Sequence, residues 1–295
     1  MNADKAFKNF FKGLSGYPKF KKKFGSKVGM YLPKNNETDW TIKRHKIKIP
    51  TLGYVRLKEF GYAPVHGDVV NGTITKEIDR YFVSILCNVP VIHYNQMNQN
   101  EGIGVDLGIK EFAVINNGKR FKNINRTSKI KKLEKKLRRE QKSFSRKINA
   151  KKGESNINKN RLRDQKLHYK LKNKRVEYVR FVVNSLVKFS PQFIAIEDLA
   201  IKNMIKNRHL SKAIIKQNFY YFRQFLIQQC KKFGIEVRII DRFFPSSKLC
   251  RNCGTIKTDL KLSDRVYKCD CGHVEDRDLN ASENIARCHT YKLAY

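Results

Sequence analysis

Ile103-Gly104-Val105-Asp106-Leu107-Gly108 is a short apolar run interrupted by one carboxylate. Its length and composition predict a buried strand. A charge inside such a strand is expensive unless something compensates it, so Asp106 demands a reason. Downstream, residues 112–115 predict a second strand, Asn116-Asn117-Gly118 a tight turn and Phe121 a third strand, so 103–122 reads as an antiparallel meander. Phe193-Ile194-Ala195-Ile196 is another buried strand and ends directly on Glu197, with Asp198 beside it. Helical periodicity fills about 210–233 and is closed by Gly234; Glu236–Ile240 reads as a strand and 278–286 as a final helix. Three strands, then helix, strand, helix, strand and helix, is a mixed α/β layer arrangement.

Acids are scarce here, which makes their placement informative. The 295 residues carry 63 Lys+Arg against 26 Asp+Glu, a net charge of +37. Such self-repulsion is tolerated when a polyanion neutralises it, so nucleic acid is the expected partner and a small neutral metabolite is not. Three acids nevertheless fall at structurally special positions: Asp106 in its strand, Glu197 at a strand end, and Asp278, which with Asp276 opens the last helix. Asp278, Ser282 and Ile285 share one helical stripe, so Asp278 can face the core. Singly, each acid reads as a cap or salt-bridge partner. Together they suit Mg²⁺: two ions about 4 Å apart need several carboxylate oxygens, and they clamp the attacking and leaving oxygens of a phosphodiester.

More than half of the excess charge is concentrated in one segment, because residues 119–180 hold 25 basic and 5 acidic side chains. Ile130, Leu133 and Leu137 form a narrow apolar stripe on a basic helix; 149–160, rich in Asn and Ser with Gly153, predicts a loop; Leu162, Leu167, Leu171, Val176 and Val179 resume the period. The reading is a basic helical hairpin that contacts nucleic acid.

Cys250-x2-Cys253, fifteen residues and Cys269-x-Cys271 resemble the ligand spacing of a zinc ribbon, with Gly254 and Gly272 after each pair. The second pair is one residue short, which brings His273 into consideration as an alternative ligand to Cys271. Cys87, Cys230 and Cys288 are isolated. Residues 1–95 read as a short helix near 3–13 followed by several short strands punctuated by Pro and Gly, a small barrel or sandwich. Tyr81, Val83, Ile85, Cys87 and Val89 form one strand face, and the polar stretch 96–100 reads as the domain boundary. No apolar run approaches the ~18 residues of a membrane span, and the N-terminus lacks a signal-peptide core, so a soluble, cytoplasmic protein is expected.

Four motifs carry a resemblance to a known family. Gly104-Val105-Asp106-Leu107-Gly108-Ile109, Ile196-Glu197-Asp198-Leu199, Pro245-Ser246-Ser247-Lys248-Leu249-Cys250-x2-Cys253-Gly254 and Asp276-Arg277-Asp278-Leu279-Asn280-Ala281 occur in the order seen in TnpB. TnpB is the RNA-guided nuclease of insertion sequences (OrfB), related to type V CRISPR effectors. The resemblance implies a RuvC nuclease of ribonuclease-H-like fold, with Asp106, Glu197 and Asp278 as Mg²⁺-binding catalytic acids and Arg277 and Asn280 as supporting residues. It implies a nuclease domain over 101–245 and 274–295 carrying the basic segment 119–180. Residues 246–273 would form a structural zinc ribbon on Cys250, Cys253, Cys269 and Cys271. Guide RNA and target DNA would be the partners. Residues 1–95, with Gly16-Tyr17-Pro18-Lys19-Phe20 and Ile49-Pro50-x-Leu52-Gly53, resemble the family's wedge domain.

The sequence also departs from the family pattern. Family members carry about 70 further N-terminal residues, so 1–95 reads as an incomplete wedge domain and recognition of the target-adjacent motif is in question. Arg180 and Val183 stand where a His and a Ser or Thr are usual, Gln228-Gln229 replaces Tyr-Lys, and Phe219 replaces Trp. None removes an acid of the trio. The competing expectation is a nucleic-acid-binding protein without effective cleavage, a decayed copy or RNA-guided repressor.

Overall fold

The computed structural model describes residues 2–19, 28–37, 39–88, 100–150, 153–261 and 264–294. The chain forms two compact units that divide between Val91 and Ile92. Residues 96–99 of the expected boundary stretch, Val89 of the expected strand face and Phe20 of the quoted motif lie outside the described residues.

The first unit has a helix, α1 (Asn2–Phe11), and two three-stranded antiparallel sheets. One sheet is ordered β1 (Val28–Pro33), β5 (Asp68–Glu77), β6 (Arg80–Asn88); the other is β2 (Thr41–Lys43), β3 (Lys46–Ile49), β4 (Gly53–Arg56). Both contribute to a core around Trp40, Ile42, Ile47, Ile49 and Val69. Val83, Ile85 and Cys87 pack against it as their alternation predicts, while Tyr81, the first member of that face, is exposed. Gly72 is required here, since a Cβ would sit 2.3 Å from the Trp40 ring.

The second unit is built on a six-stranded mixed sheet. Its strands are β7 (Ile103–Leu107), β8 (Glu111–Ile115), β9 (Arg120–Lys122), β10 (Phe193–Glu197), β11 (Glu236–Ile240) and β14 (Tyr291–Leu293), in the order β14-β11-β10-β7-β8-β9. The meander β7-β8-β9 is antiparallel, as the sequence predicts. β10 lies parallel to both β7 and β11. One face is covered by α3 (Glu154–Val187) and α6 (Phe219–Phe233), where Val105, Phe112, Val182, Val183, Leu186, Ile194, Ile196, Phe222 and Leu226 make the main core. These side chains are essentially inaccessible to solvent, and each such burial contributes roughly 1.5–3 kcal/mol.

The other face carries α7 (Arg277–Arg287), packed most closely on β7. Gly104 makes that approach possible: a Cβ there would lie 2.1 Å from the Ser282 carbonyl oxygen and 2.5 Å from the Ala286 nitrogen. Both are backbone atoms, so neither can rotate away. Between β11 and α7 the chain forms a small lobe with its own hairpin, β12 (Val266–Lys268) and β13 (Val274–Asp276).

Three local expectations change. The basic hairpin is α2 (Ser128–Asn149) followed by α3, so helix replaces most of the expected 149–160 loop, from Glu154 onward. Tertiary bonding overrides the weak helix propensity there: buried Asn160 accepts from Lys147 Nζ at 2.8 Å and donates to Ser143 Oγ at 3.1 Å. The expected 210–233 helix is two helices, α5 (Ser211–Gln217) and α6, broken at Asn218, which adopts a left-handed φ of 56°. Asn tolerates that conformation better than most residues, and the break lets buried Gln217 reach the Gly108 and Ile109 carbonyls at 3.4 Å each. A short helix, α4 (Ile201–Met204), and strand β14 add to the expected elements.

Gly104→Ala is expected to destabilise the protein by about 1–3 kcal/mol in a denaturant titration, as overpacking does. Gly16→Ala, where a Cβ meets nothing within 4 Å, should stay within ~0.5 kcal/mol of wild type.

Candidate active site and thiol cluster

The register of β7 and β10 brings two acids together. Ile194 pairs with Ile103, Ala195 with Gly104 and Ile196 with Val105. The next pair in that register is Glu197 and Asp106, at the carboxyl ends of neighbouring parallel strands. Alternation along the strands gives Asp106 the same side as Gly104, the side on which α7 lies. Glu197 likewise shares the side of Ala195, which packs in one cluster with Ile285 of α7. Asp278 sits one helical turn before Ser282, the residue over Gly104. Its charge acts on Asp106, which places the two carboxyls near one another.

The electrostatics reflect the convergence of these three carboxylates. The Asp106 carboxyl is pushed up to about 8, first by enclosure in protein and then by the charges of Glu197, Asp278 and Asp276, with Arg277 opposing. Burial also raises Glu197, partly offset by a hydrogen bond that the Ser246 hydroxyl donates to its Oε1. Among the described residues, the group that gathers metal-ligating atoms within 4.8 Å of one another is the four-thiol cluster described below.

The neighbouring acids behave differently. Asp276 caps α7, accepting from the Asp278 and Leu279 amides at 3.0 and 3.2 Å, and pairs with Arg120 at 3.0 Å. Burial would raise its carboxyl, but the Arg120 contact and the two amides hold it below the usual carboxylate range. Asp198 is bridged by Arg223 and Arg242, each at 2.6 Å, and these guanidiniums likewise outweigh its burial. Beside Glu197 opens a cleft of about 530 Å³ whose lining includes Leu199, Lys202, Tyr220, Arg223 and Arg242. Tyr220 is 68% exposed there.

Arg277 and Asn280, the expected supporting residues, both fasten the small lobe to α7. Arg277 Nη1 donates to the Lys261 and Asp264 carbonyls at 3.3 Å each. Asn280 is fully buried; its Nδ2 donates to the Leu249 carbonyl at 2.8 Å and its Oδ1 accepts from the Arg251 amide at 3.2 Å. Residue-by-residue reading missed Ser246, Asn284, Gly104 as a packing position and Arg120. The available signals were a hydroxyl in Pro245-Ser246-Ser247 and the i, i+4 pair Asn280/Asn284 beside the apolar pair Ala281/Ile285 of the last helix.

In the lobe, Cys250 and Cys253 sit on one turn and Cys269 and Cys271 on another. Each turn closes through a glycine with positive φ, Gly254 at 75° and Gly272 at 84°, whose amides donate to the Cys250 and Cys269 carbonyls at 2.9 and 3.0 Å. Cys250 Sγ lies 3.7 Å from Cys271 Sγ, and Cys253 Sγ 3.6 Å from Cys269 Sγ. A tetrahedron with Zn–S bonds of ~2.3 Å has S···S edges of ~3.8 Å, so the four sulfurs fit that ion. Thr255 draws the Cys253 thiol down to about 6 through its hydroxyl and amide, favouring the thiolate that binds metal. His273 instead lies 3.5 Å from Glu275, which pairs with Arg251 at 2.9 Å.

Two family models match the chain: "Probable transposase" over residues 84–208 and "Cas12f1-like, TNB domain" over residues 219–285. A protein of Streptomyces pristinaespiralis named "Putative RNA-guided DNA endonuclease" is 30% identical over 282 residues, covering 95% of this chain and 67% of the relative. The chain belongs to the TnpB family. A second member, "Putative RNA-guided DNA endonuclease InsQ" of Escherichia coli K12, is 27% identical over 96% of this chain and 71% of its own length. The fold is shared with a solved structure, "Cryo-EM structure of the Cas12f1-sgRNA-target DNA complex", at a TM-score of 0.58 and 16% identity, over 97% of this chain and 68% of that one. Among the described residues no helix is long and apolar enough to cross a membrane.

Cys253→Ser should lower bound zinc, measured by atomic absorption, together with the melting temperature. Unchanged zinc stoichiometry would count against the four-thiol site.

Proposed function

We propose that the protein is a transposon-associated, RNA-guided DNA endonuclease that cuts phosphodiesters at a RuvC-type site. The observation that carries this reading is the placement of Asp106, Glu197 and Asp278 on one side of the sheet, in an otherwise strongly basic chain. The six-stranded sheet with its β7-β8-β9 meander is read as the ribonuclease-H-like core, the thiol-bearing lobe as a zinc ribbon and the N-terminal unit as a wedge-like nucleic-acid-binding domain.

Each residue has a definable part. Asp106, Glu197 and Asp278 would hold Mg²⁺, and their mutual repulsion is a like-charge strain that divalent cations relieve. When bound, the ions supply Lewis-acid stabilisation of the phosphodiester and a water of lowered pKa. Arg223 and Arg242 place positive charge at the cleft beside Glu197 while Asp198 orients them, favouring entry of a phosphate backbone. Exposed Tyr220 offers an aromatic face to an unpaired base. The exposed cations of α2 suit the backbone of a guide RNA or its heteroduplex with DNA, where base pairing rather than protein reads the sequence.

Purified protein loaded with RNA transcribed from its transposon end should cut matching DNA in Mg²⁺. Asp106→Ala should lower the cleavage rate by more than ~100-fold, beyond what loss of an outer partner costs, without weakening RNA binding; equal cutting by that variant overturns the assignment. A second expected outcome concerns the hairpin. Replacing Lys131, Lys135, Arg138 and Lys142 by Ala should weaken RNA binding in filter assays and flatten its salt dependence, by about one unit of log–log slope for each phosphate that is no longer neutralised.

A further inference from the structure

Ser246 is a buried hydroxyl, 6% exposed, in the segment that leads from β11 into the thiol lobe. It donates to Glu197 Oε1. One lone-pair site of that oxygen is thereby engaged and rotation of the carboxylate about its last bond is restricted, while Oε2 is left to other partners. The serine is itself held. Its amide donates to the Phe244 carbonyl at 2.8 Å, and its carbonyl accepts from Asn284 Nδ2, also at 2.8 Å. Asn284 is 3% exposed and spends its second Nδ2 hydrogen on the Leu249 carbonyl at 2.7 Å. That carbonyl also accepts from Asn280 at 2.8 Å.

Asn280 and Asn284 both belong to α7, the helix that bears Asp278. A continuous chain of hydrogen bonds therefore runs from the helix of one acid, through Asn284 and the Ser246 backbone, to the carboxylate of another. In this chain every donor is spent on a named acceptor within a buried region, where leaving one unmade costs about 1–3 kcal/mol. Such a chain keeps its geometry only if all its members stay in place.

We infer that Ser246 is a positioning residue for Glu197, setting the orientation in which that carboxylate takes a divalent cation, and that Asn284 ties this setting to the position of Asp278. The inference rests on the reading of the acid trio as a cation site. Outer partners of this kind tune metal affinity because a carboxylate that must reorient on binding loses conformational freedom at that moment.

Mn²⁺ binding followed by electron paramagnetic resonance, on zinc-loaded full-length protein, tests the idea without relying on cleavage. The site in question is identified by its loss in Asp106→Ala. Ser246→Ala should weaken that Mn²⁺ affinity by about 10–100-fold and Ser246→Thr, which keeps the hydroxyl, should recover most of it. Zinc content and guide-RNA affinity should be unchanged in both. Mn²⁺ affinity in Ser246→Ala that equals or exceeds wild type overturns the inference, as does a loss that occurs only together with loss of zinc. A wild-type protein that binds Mn²⁺ at this site and shows the expected Ser246 effect, yet cuts no DNA with its RNA, sinks the nuclease reading and leaves this inference standing. Wild-type protein without an Asp106-dependent Mn²⁺ site sinks both.

Discussion

Enclosure of carboxylates that the fold brings to one side of its sheet is the constraint on which the rest of this structure depends. Asp106 and Glu197 directly follow the last paired residues, Val105 and Ile196, of the neighbouring parallel strands β7 and β10, which lie about 4.8 Å apart. Enclosure in protein, and after it the charges of Glu197 and Asp278, raise the Asp106 carboxyl to about 8. A fold selected for stability alone would place apolar side chains there. The neighbouring acids mark the contrast, since Asp198 and Asp276 have arginine partners and are held low.

The third carboxylate depends on close packing rather than on register. Gly104 leaves out the side-chain atom that would keep α7 off β7, and Asp276 then caps the helix so that Asp278 falls in its first turn. The thiol lobe enters between β11 and α7 and is fastened to that helix through Asn280, Asn284 and Arg251, which pairs with Glu283 at 3.1 Å. Its insertion point therefore has a mechanical sense: the lobe holds the start of α7 and, through Ser246, touches Glu197.

The basic hairpin answers to a different physical demand. α2 and α3 meet through Ile130, Leu137, Leu167 and Leu171, a narrow apolar seam that leaves most of each surface to lysine and arginine. At its base Glu134 pairs with Arg175 at 2.7 Å and Lys216 at 2.5 Å, an acidic pin between the hairpin and α5. The concentration of basic side chains and the carboxylate trio are thus separated within one unit. The cations lie on helical surfaces, and the acids lie at strand ends and a helix start.

Much of this was legible in the chain itself. Periodicity located the strands from β7 to β11, the helical hairpin and the last helix, because buried strands and amphipathic helices each impose their own spacing on apolar residues. Scarcity made Asp106, Glu197 and Asp278 conspicuous, and the Cys250-x2-Cys253 turn with its glycine carries its geometry locally. Tertiary structure alone decided what depends on partners distant in sequence. The register that seats Glu197 beside Asp106 joins strands about 90 residues apart. The break at Asn218, the early start of α3 and the bond from Ser246 to Glu197 likewise answer to contacts that no local pattern encodes. Sequence determined which residues were chemically unusual, since composition and spacing are local properties. Only the packed chain determined which of them meet, since that follows from strand pairing and close approach across the whole unit.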